Sequence, residues 1–487
     1  MPETELTPRR RLLVLAICCM SLFIVTLDAT ALNVALPSMA REFDTSISGM
    51  QWAVDAYTVV LASLLVLAGS TADRVGRRRV FQAGLALFML GSLLCSLAPT
   101  LQTLVPFRAV QAVGGSMLNP VAMSIITNTF TAPRERARAI GVWGGVVGIS
   151  MAAGPLAGGL LVEAVGWRAI FWVNLPVCAA ALLLTTRYVP ESRAPKPRRP
   201  DPVGQLLVAA LLGSVTYAII EAPSAGLESP LIRTLIGCAV LSLLALLAYE
   251  RRRPEPLIEL RFFRSAPFSG ATLIAICAFA GLGGFLFLTT LYLQNVRGLD
   301  ALHTGLWVAS MAAVQVVCAP LSGRLVGGWG PRVPLLISGV MLTSACVLFA
   351  AFGAERETGT RLAAYILFGI GMGFVNTPIT NTAVSGMPRA QAGVAAAVAS
   401  TSRQFGLGLG VAVCGSVLAS GVASGSYGPA SAAASRPAWW ILAGCGAAVL
   451  VLGLVTSGRW ARGTAQALWA AEEEAEPVRP EVTDNKI

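Results

Sequence analysis

Fourteen separate stretches of this chain are each about twenty residues long and almost purely apolar, and that recurrence constrains the fold more than any single motif. An α-helix rises about 1.5 Å per residue, so about 20 apolar residues match the hydrocarbon core of a bilayer. The stretches fall at 12–36, 49–71, 80–98, 101–128, 138–162, 169–188, 203–222, 232–250, 267–294, 303–325, 332–352, 359–385, 391–419 and 438–457. Inside hydrocarbon every backbone N–H and C=O needs an internal partner, and a helix supplies it within one segment. Composition agrees: 55% of the residues are hydrophobic and 13% are charged, against about 25% charged in a soluble domain. Such a surface would not stay dispersed in water, and a disordered chain would be poor in apolar residues. The expected fold class is an all-α membrane protein whose outer solvent is the lipid bilayer.

The net charge of +11 is read by position rather than by sum, and no nucleic-acid partner is expected. With the N-terminus inside, the inner loops and tails carry about 27 of the 36 Lys and Arg residues. The outer loops carry only Arg41, Arg168, Arg233, Arg297, Arg356, Arg361 and Arg436, while Arg108 and Arg403 lie within spans. This asymmetry predicts a multi-pass protein of the cell (cytoplasmic) membrane with both termini cytoplasmic. Arg9, Arg10 and Arg11 precede a first span too long for a signal-peptide core, so that span is read as a permanent helix. The linker from Pro190 to Pro200 and the one from Glu250 to Arg264 are basic and read as solvated segments at the headgroups. The acidic tail from Trp469 to Ile487 reads as disordered.

The ten Cys all lie in apolar stretches without a Cys-x-x-Cys pair, and His303 stands alone. Neither a disulfide framework nor a metal site is expected. A Gly-rich nucleotide loop ending in Lys and Ser or Thr is absent, as is any nucleophile–base pair, so neither an enzyme nor a cofactor is expected.

A weak internal repeat pairs the loop Gly69-Ser70-Thr71-Ala72-Asp73-Arg74-Val75-Gly76-Arg77-Arg78-Arg79 with the loop from Gly323-Arg324 to Gly330-Pro331-Arg332. Repeated halves are how many transporters build two faces around a central site. The spacing predicts a six-helix half over 1–188, a basic linker over 189–202 and two inserted helices over 203–250. A second linker over 251–266, a second six-helix half over 267–457 and a tail over 458–487 complete the chain.

Several motifs, in order along the chain, resemble the major facilitator superfamily, and within it the fourteen-spanner drug:proton antiporters (multidrug resistance exporters). Leu27-Asp28-Ala29-Thr30-Ala31-Leu32-Asn33-Val34-Ala35-Leu36-Pro37 is similar to the family's first-helix signature. The 69–79 loop resembles the superfamily's inner loop, with Thr71 in place of the usual Leu. Arg108-Ala109-Val110-Gln111-Ala112 resembles the fourth-helix motif, with Ala112 in place of Gly. Gly148 through Gly154-Pro155-Leu156-Ala157-Gly158-Gly159 is similar to the antiporter motif, and Trp167-Arg168, Phe171-Trp172 and Asn174-Leu175-Pro176 to the junction of spans five and six. The resemblance implies the major facilitator fold with fourteen transmembrane helices. It also implies a proton-coupled antiporter that exports amphipathic, often cationic drugs or toxic metabolites by alternating access, driven by the proton gradient without a cofactor. The family's antiporter motif further implies export rather than uptake. A monomer working on a small hydrophobic or cationic substrate and on protons is expected. Two other readings stay open: a dedicated exporter of one antibiotic or metabolite made by the host, and a membrane sensor that moves no solute.

The residues carry chemistry of their own. Asp28 sits about 12 Å below the outer end of span one, Arg108 about 10 Å below that of span four and Asp55 about 9 Å below that of span two. Groups at one depth are expected to meet in one water-accessible pocket. An intramembrane charge costs several kcal/mol without a partner, which leaves a fixed structural ion pair or a proton site. In the second reading Asp28 carries the proton, Arg108 tunes it, and Asp55 is a cation-recognition group or a second proton site. Asn33, Gln111 and Asn119 either bond helix to helix or touch substrate. Trp52, Tyr57 and Tyr292, with Phe285, Trp307 and Met372, are candidates to line a cavity for flat cations. Gly154, Pro155 and Gly158 permit close helix approach and a kink, a hinge or seal between halves. Asp73, Arg74, Gly76 and Arg77 are either plain topogenic charge and turn, or an inner gate in which Asp73 pairs with a basic group only in the outward-facing state. Glu221 and Glu163 read as exposed interfacial groups, and Arg403 as packing or an inner ion pair.

Overall fold

Apolar side chains on every face leave each segment nothing to do in a bilayer but close its own hydrogen bonds, and the chain is built of helices throughout. The computed structural model describes residues 7–194, 201–253, 256, 257, 259–352, 358–385, 387, 392–422 and 427–475. The helices are α1 (Pro8–Phe43), α2 (Ile47–Val75), α3 (Arg77–Ser96), α4 (Leu101–Thr129) and α5 (Pro133–Ala164). Then come α6 (Ala169–Tyr188), α7 (Pro202–Ala225), α8 (Pro230–Glu250), α9 (Ala266–Leu291) and α10 (Ala301–Trp329). The last are α11 (Arg332–Phe352), α12 (Thr358–Ser385), α13 (Ala392–Gly421), α14 (Arg436–Thr456) and α15 (Arg459–Ala475). Fourteen of them are long and apolar enough to cross a membrane. Fourteen crossings put both ends of the chain on one face of the bundle, termed here the near face; the opposite one is the far face.

Most helices outrun the stretches that hydropathy marks, α1 by several residues at each end. Hydropathy registers only the part in hydrocarbon, whereas capping chemistry sets the true ends. Ser46 accepts a hydrogen bond from Gly49 N at 3.4 Å, Asp201 from Gly204 N at 2.9 Å and Asp300 from His303 N at 2.7 Å. Proline occupies the first turn of α5, α7, α8, α9 and α14, where its missing N–H is not needed.

Contacts between helices repeat with an offset of eight. α1 packs on α5 and α6, and α9 on α13 and α14. α3 packs on α4 and α6, and α11 on α12 and α14; α2 packs on α4, and α10 on α12. Two seams join the sets, α2 against α13 and α5 against α10, and the same offset turns each seam into the other. α7 lies against both α2 and α13, while α8 packs chiefly on α7 and leaves Leu241, Leu243 and Leu244 exposed toward lipid. The inserted pair thus bridges the seam rather than resting on the periphery.

The halves approach toward the far face and part toward the near one. A Cβ added at Gly159 would stand 2.6 Å from Ala301 O of α10, and one at Gly305 of α10 would collide with Pro155 O of α5. Farther toward the near face, a Cβ at Gly141, Gly144 or Gly145 would meet no other segment within 4 Å among the described residues. On the other seam Gln51 donates to Val411 O at 3.2 Å and to Ala412 O at 2.7 Å.

The segments between and after the spans differ from expectation. Residues 459–475 of the tail form α15, whose Ala461 and Ala465 are buried and whose Thr464 Oγ1 accepts from Ala266 N at 2.9 Å. Small residues on one face let it dock on the start of α9; its acidic end hid that face in the composition. Glu191 to Ala194 do not float at the headgroups either. Ser192 O accepts from Arg77 N at 2.9 Å, and Ala194 N donates to Asp73 O at 3.0 Å, tying the linker to the turn between α2 and α3. In the second linker Arg253 pairs with buried Asp201 at 3.0 Å, and Phe262 is buried in a short 3-10 turn at 260–264. The remaining linker positions 195–200, 254, 255 and 258, the tail from 476 and Arg356 lie outside the described residues.

Candidate functional site

Two buried charges meet between α1 and α4. Arg108 Nη1 donates to Asp28 Oδ2 at 2.7 Å, and the two side chains are 1% and 0% exposed. Removing two charges from water costs several kcal/mol per ion, and their attraction offsets this only if the remaining lone pairs and N–H groups are also used. Here they are. Gln111 Nε2 donates to Asp28 Oδ1 at 3.0 Å and to Ser92 Oγ at 2.9 Å. Asn174 Nδ2 donates to the same Oδ1 at 2.8 Å and to Ser92 Oγ at 3.0 Å. Ser92 Oγ donates onward to Phe88 O at 2.8 Å. Arg108 donates also to Gln111 Oε1 at 2.5 Å and, through Nε, to Ala53 O at 3.3 Å. Its guanidinium carbon lies 4.4 Å from the centroid of the Tyr57 ring and 5.7 Å from that of Phe171, within cation–π range.

Local sequence explains this convergence. Gly91 of α3 faces the Gln111 backbone so closely that a Cβ would stand 2.5 Å from it. That approach brings Ser92, the next residue, within reach of Gln111. Arg108 and Gln111 are three residues apart and so share one face of α4.

Asp55 does not join them. It is fully buried, but its Oδ1 accepts from Thr58 Oγ1 at 3.2 Å and its Oδ2 has no hydrogen-bond partner among the described residues. It faces α13, where a Cβ on Gly408 would stand 3.0 Å from Oδ1. Tyr57, two residues on, faces Arg108; two residues turn a helix by about 200°, so Asp55 points the other way. Depth was shared, azimuth was not.

The residues considered for substrate contact disperse likewise. Gln111 belongs to the network, and Tyr57 lies beneath Arg108, 2% exposed. Trp52 faces the inserted helix: its Nε1 donates to Glu221 Oε1 at 3.0 Å, and its ring meets Tyr217 edge-on at 5.1 Å. Glu221 is therefore a partner to α2 rather than a free interfacial group. Asn33 donates to Ala29 O at 3.0 Å, and among the described residues its buried Oδ1 and that of Asn119 have no hydrogen-bond partner. Tyr292 stands toward the far end of α9, in a single π-turn, and its hydroxyl accepts from Arg361 at 3.4 Å. Phe285 stacks on Phe368 at 3.9 Å and Met372 is buried, both in the core of the second half. Trp307 lies 5.6 Å from Tyr365 in the same region, and Arg403 donates to Thr380 Oγ1 at 3.2 Å.

At the near face Arg77 donates to Asp73 Oδ1 through Nε at 3.0 Å and Nη2 at 2.8 Å. This pair exists with the halves joined at the far face, so pairing of Asp73 with a basic group is not confined to the opposite state: a partner four residues on is within reach in any state. Gly76 turns the chain between α2 and α3 with φ 128, a conformation that disfavours any side chain. Glu191 closes that turn by accepting from Arg78 N at 3.1 Å, and Arg74 is exposed. Of the three residues expected to seal the halves, Pro155 lies on the seam, where a Cβ on Gly305 of α10 would collide with its O; Gly154 and Gly158 instead pack on Thr30 and Ala31 of α1, within their own half, because they fall on another face of α5.

Ser92 and Asn174 complete the carboxylate's shell without having been singled out as site residues. Asn174 carried a signal, an amide within an apolar span beside Pro176, while a lone Ser carried none.

Comparison with known proteins bears on this geometry. The sequence pattern of the Major Facilitator Superfamily matches residues 18–411. The Multidrug resistance protein Stp of Mycobacterium tuberculosis is 38% identical over 411 residues, 84% of this chain and 76% of that protein. The Tetracenomycin C resistance and export protein of Streptomyces glaucescens is 36% identical over 404 residues, 82% of this chain and 74% of that protein. Among solved structures, a bacterial homolog of the human lysosomal transporter Spinster, inward-facing and unoccupied, superposes with a TM-score of 0.63. It is 18% identical and covers 95% of this chain and 98% of its own, a likeness of fold.

Proposed function

Because the chain belongs to the major facilitator superfamily, we propose that it is a proton-coupled antiporter that exports amphipathic, often cationic drugs or toxic metabolites across the cytoplasmic membrane by alternating access. The observation that carries this reading is the buried Asp28–Arg108 pair, in a bundle whose halves meet at the far face and part at the near one. The near face is then the cytoplasmic one, with both termini, and the single chain is the working unit.

The network suits exchange by competition. Arg108 already neutralises Asp28, so the site tolerates only one further positive charge. Two unit charges 4 Å apart repel by about 4 kcal/mol at an effective dielectric constant near 20. A proton on Asp28 and a cation beside it would therefore exclude each other about a thousandfold. Protonation also turns the carboxylate from a pure acceptor into a donor, and the N–H groups that now surround it no longer fit. Loading and unloading the proton thus repacks α1 against α4 and α6, which biases the two arrangements of the halves. Nothing covalent is made or broken.

The test uses purified protein in liposomes with an imposed pH gradient, following a fluorescent lipophilic cation and internal pH together. Cation movement with opposite proton flux, lost in Asp28→Asn, is the expected result. Coupled exchange that persists in Asp28→Asn would remove the proton from this site, and no solute movement under any gradient would favour a sensor. A second reading, export of one compound made by the host, is favoured by the relative from Streptomyces glaucescens, whose name joins resistance and export of tetracenomycin C. Survival across chemically unrelated compounds separates broad from narrow specificity.

A further inference from the structure

α7 does not seal completely against the bundle it bridges. Between its near-face half and the near-face parts of α2, α9 and α13 lies a cavity of about 170 Å³. Val208 of α7, Leu246 of α8 and Phe405 of α13 give it apolar walls. Five polar side chains also line it: Gln205, Ser63 and Thr401, with Thr272 and Ser402, whose hydroxyls donate to Phe268 O and Val398 O. Gln205 is 5% exposed, and among the described residues neither its Oε1 nor its Nε2 has a hydrogen-bond partner. The hydroxyls of Ser63 and Thr401 are equally without one. A buried polar group without a partner is costly, and four such atoms around one cavity describe a demand for hydrogen bonds that the described residues do not meet. The Asp28 network lies on other faces of the helices and shares none of these residues.

We infer that this cavity is a second ligand site, for a compact neutral molecule that joins an aromatic or other apolar body to one adjacent donor and acceptor, as a carboxamide does. An apolar cavity of about 150 Å³ accommodates benzene, so the body is of that size. Among the described residues no titratable side chain lines the walls, and an unpaired ion would be strongly disfavoured beside them, so the ligand is neutral. A lipid acyl chain would fill the apolar part and leave Gln205 as it stands. A primary amide answers both of its groups at once, accepting from Nε2 and donating to Oε1.

The full chain in lipid nanodiscs is photolabelled with 4-azidobenzamide, with benzamide and toluene as competitors, and the labelled peptides are identified by mass spectrometry. Label on peptides of α7 and α13, competed by benzamide, is expected. Val208→Phe and Leu246→Phe fill the cavity from two walls, and each variant that keeps the wild-type melting temperature should lose at least nine-tenths of the label. Gln205→Leu should weaken competition by benzamide about tenfold and leave competition by toluene unchanged, the size expected for a lost hydrogen-bonding pair. Label confined to other helices, or undiminished in both filled variants, would overturn the site. Labelling that appears only after phospholipid is stripped, and disappears on its return, would assign the cavity to an acyl chain and overturn the proposal as well.

Discussion

The amide of Asn174 donates to Asp28 at 2.8 Å, on the carboxylate oxygen that Arg108 does not use. Charge therefore holds one oxygen and neutral amides hold the other, and α6 senses the state of α1 through that bond. A carboxyl fixed from both sides cannot change its proton without moving a neighbour.

Removing one member of the pair should cost far more than removing both. Arg108→Met leaves a buried carboxylate without its cation and is expected to lower stability by about 3–5 kcal/mol. Asp28→Asn combined with Arg108→Met should recover most of that loss while remaining inactive in gradient-driven exchange. Unfolding in mixed detergent reads the first effect and liposome flux the second. A double variant no more stable than Arg108→Met would contradict the balance described here.

Asn174→Ala removes a donor to the carboxylate without touching a charge. Exchange should slow about tenfold, the equivalent of one hydrogen bond to a charged group, with the protein still inserted and folded. An unchanged exchange rate would mean that α6 is a bystander.

The two ends of α5 should respond differently to bulk. Gly158→Val drives side-chain atoms into Ala31 and is expected to abolish transport or folding, whereas Gly144→Val meets open space and should be tolerated in yield and melting temperature. Paired expression and melting measurements distinguish the two.

Trp52 is tied to the inserted helix. Trp52→Phe should remove the bond to Glu221 and about 1 kcal/mol of stability, yet leave the apparent affinity for a fluorescent cation within twofold of wild type. A tenfold loss of affinity would return Trp52 to the substrate cavity.

Acid should loosen the start of α10. The backbone N–H of His303 bonds the Asp300 carboxylate and holds its pKa below the usual Asp value. A carboxylate depressed in the folded state stabilises above its unfolded pKa, and that contribution fades as pH falls through the folded one. Amide exchange at 302–304 should accelerate below about pH 4 in the wild type, and Asp300→Ala should show the faster exchange at every pH. Identical exchange in both proteins would deny Asp300 the cap.

The spans, their number and their repeat were legible because each rests on local composition. Asp28 and Arg108 were legible for the same reason: a charge in an apolar run announces itself, and rise per residue gives its depth. Which face it takes is a different matter. Asp55 was expected to meet Asp28 at a shared depth and faces α13 instead, and Trp52, a candidate to line a cavity, faces α7, since azimuth depends on where α7 and α13 lie, and those are distant in sequence. Ser92 was hidden because a small hydroxyl in a helix usually bonds its own backbone, and it does that here too, while accepting two amides.

The two seams between the halves are equivalent by their contacts, yet α7 and α8 cover only one of them. The bilayer thus meets two unlike flanks: the inserted pair leaves α5 and α10 uncovered, while α2 and α13 are walled off by two further helices. Were a solute to enter from the side, the inserted pair would leave it a door on one flank and masonry on the other, in a protein whose repeated architecture would otherwise supply two doors.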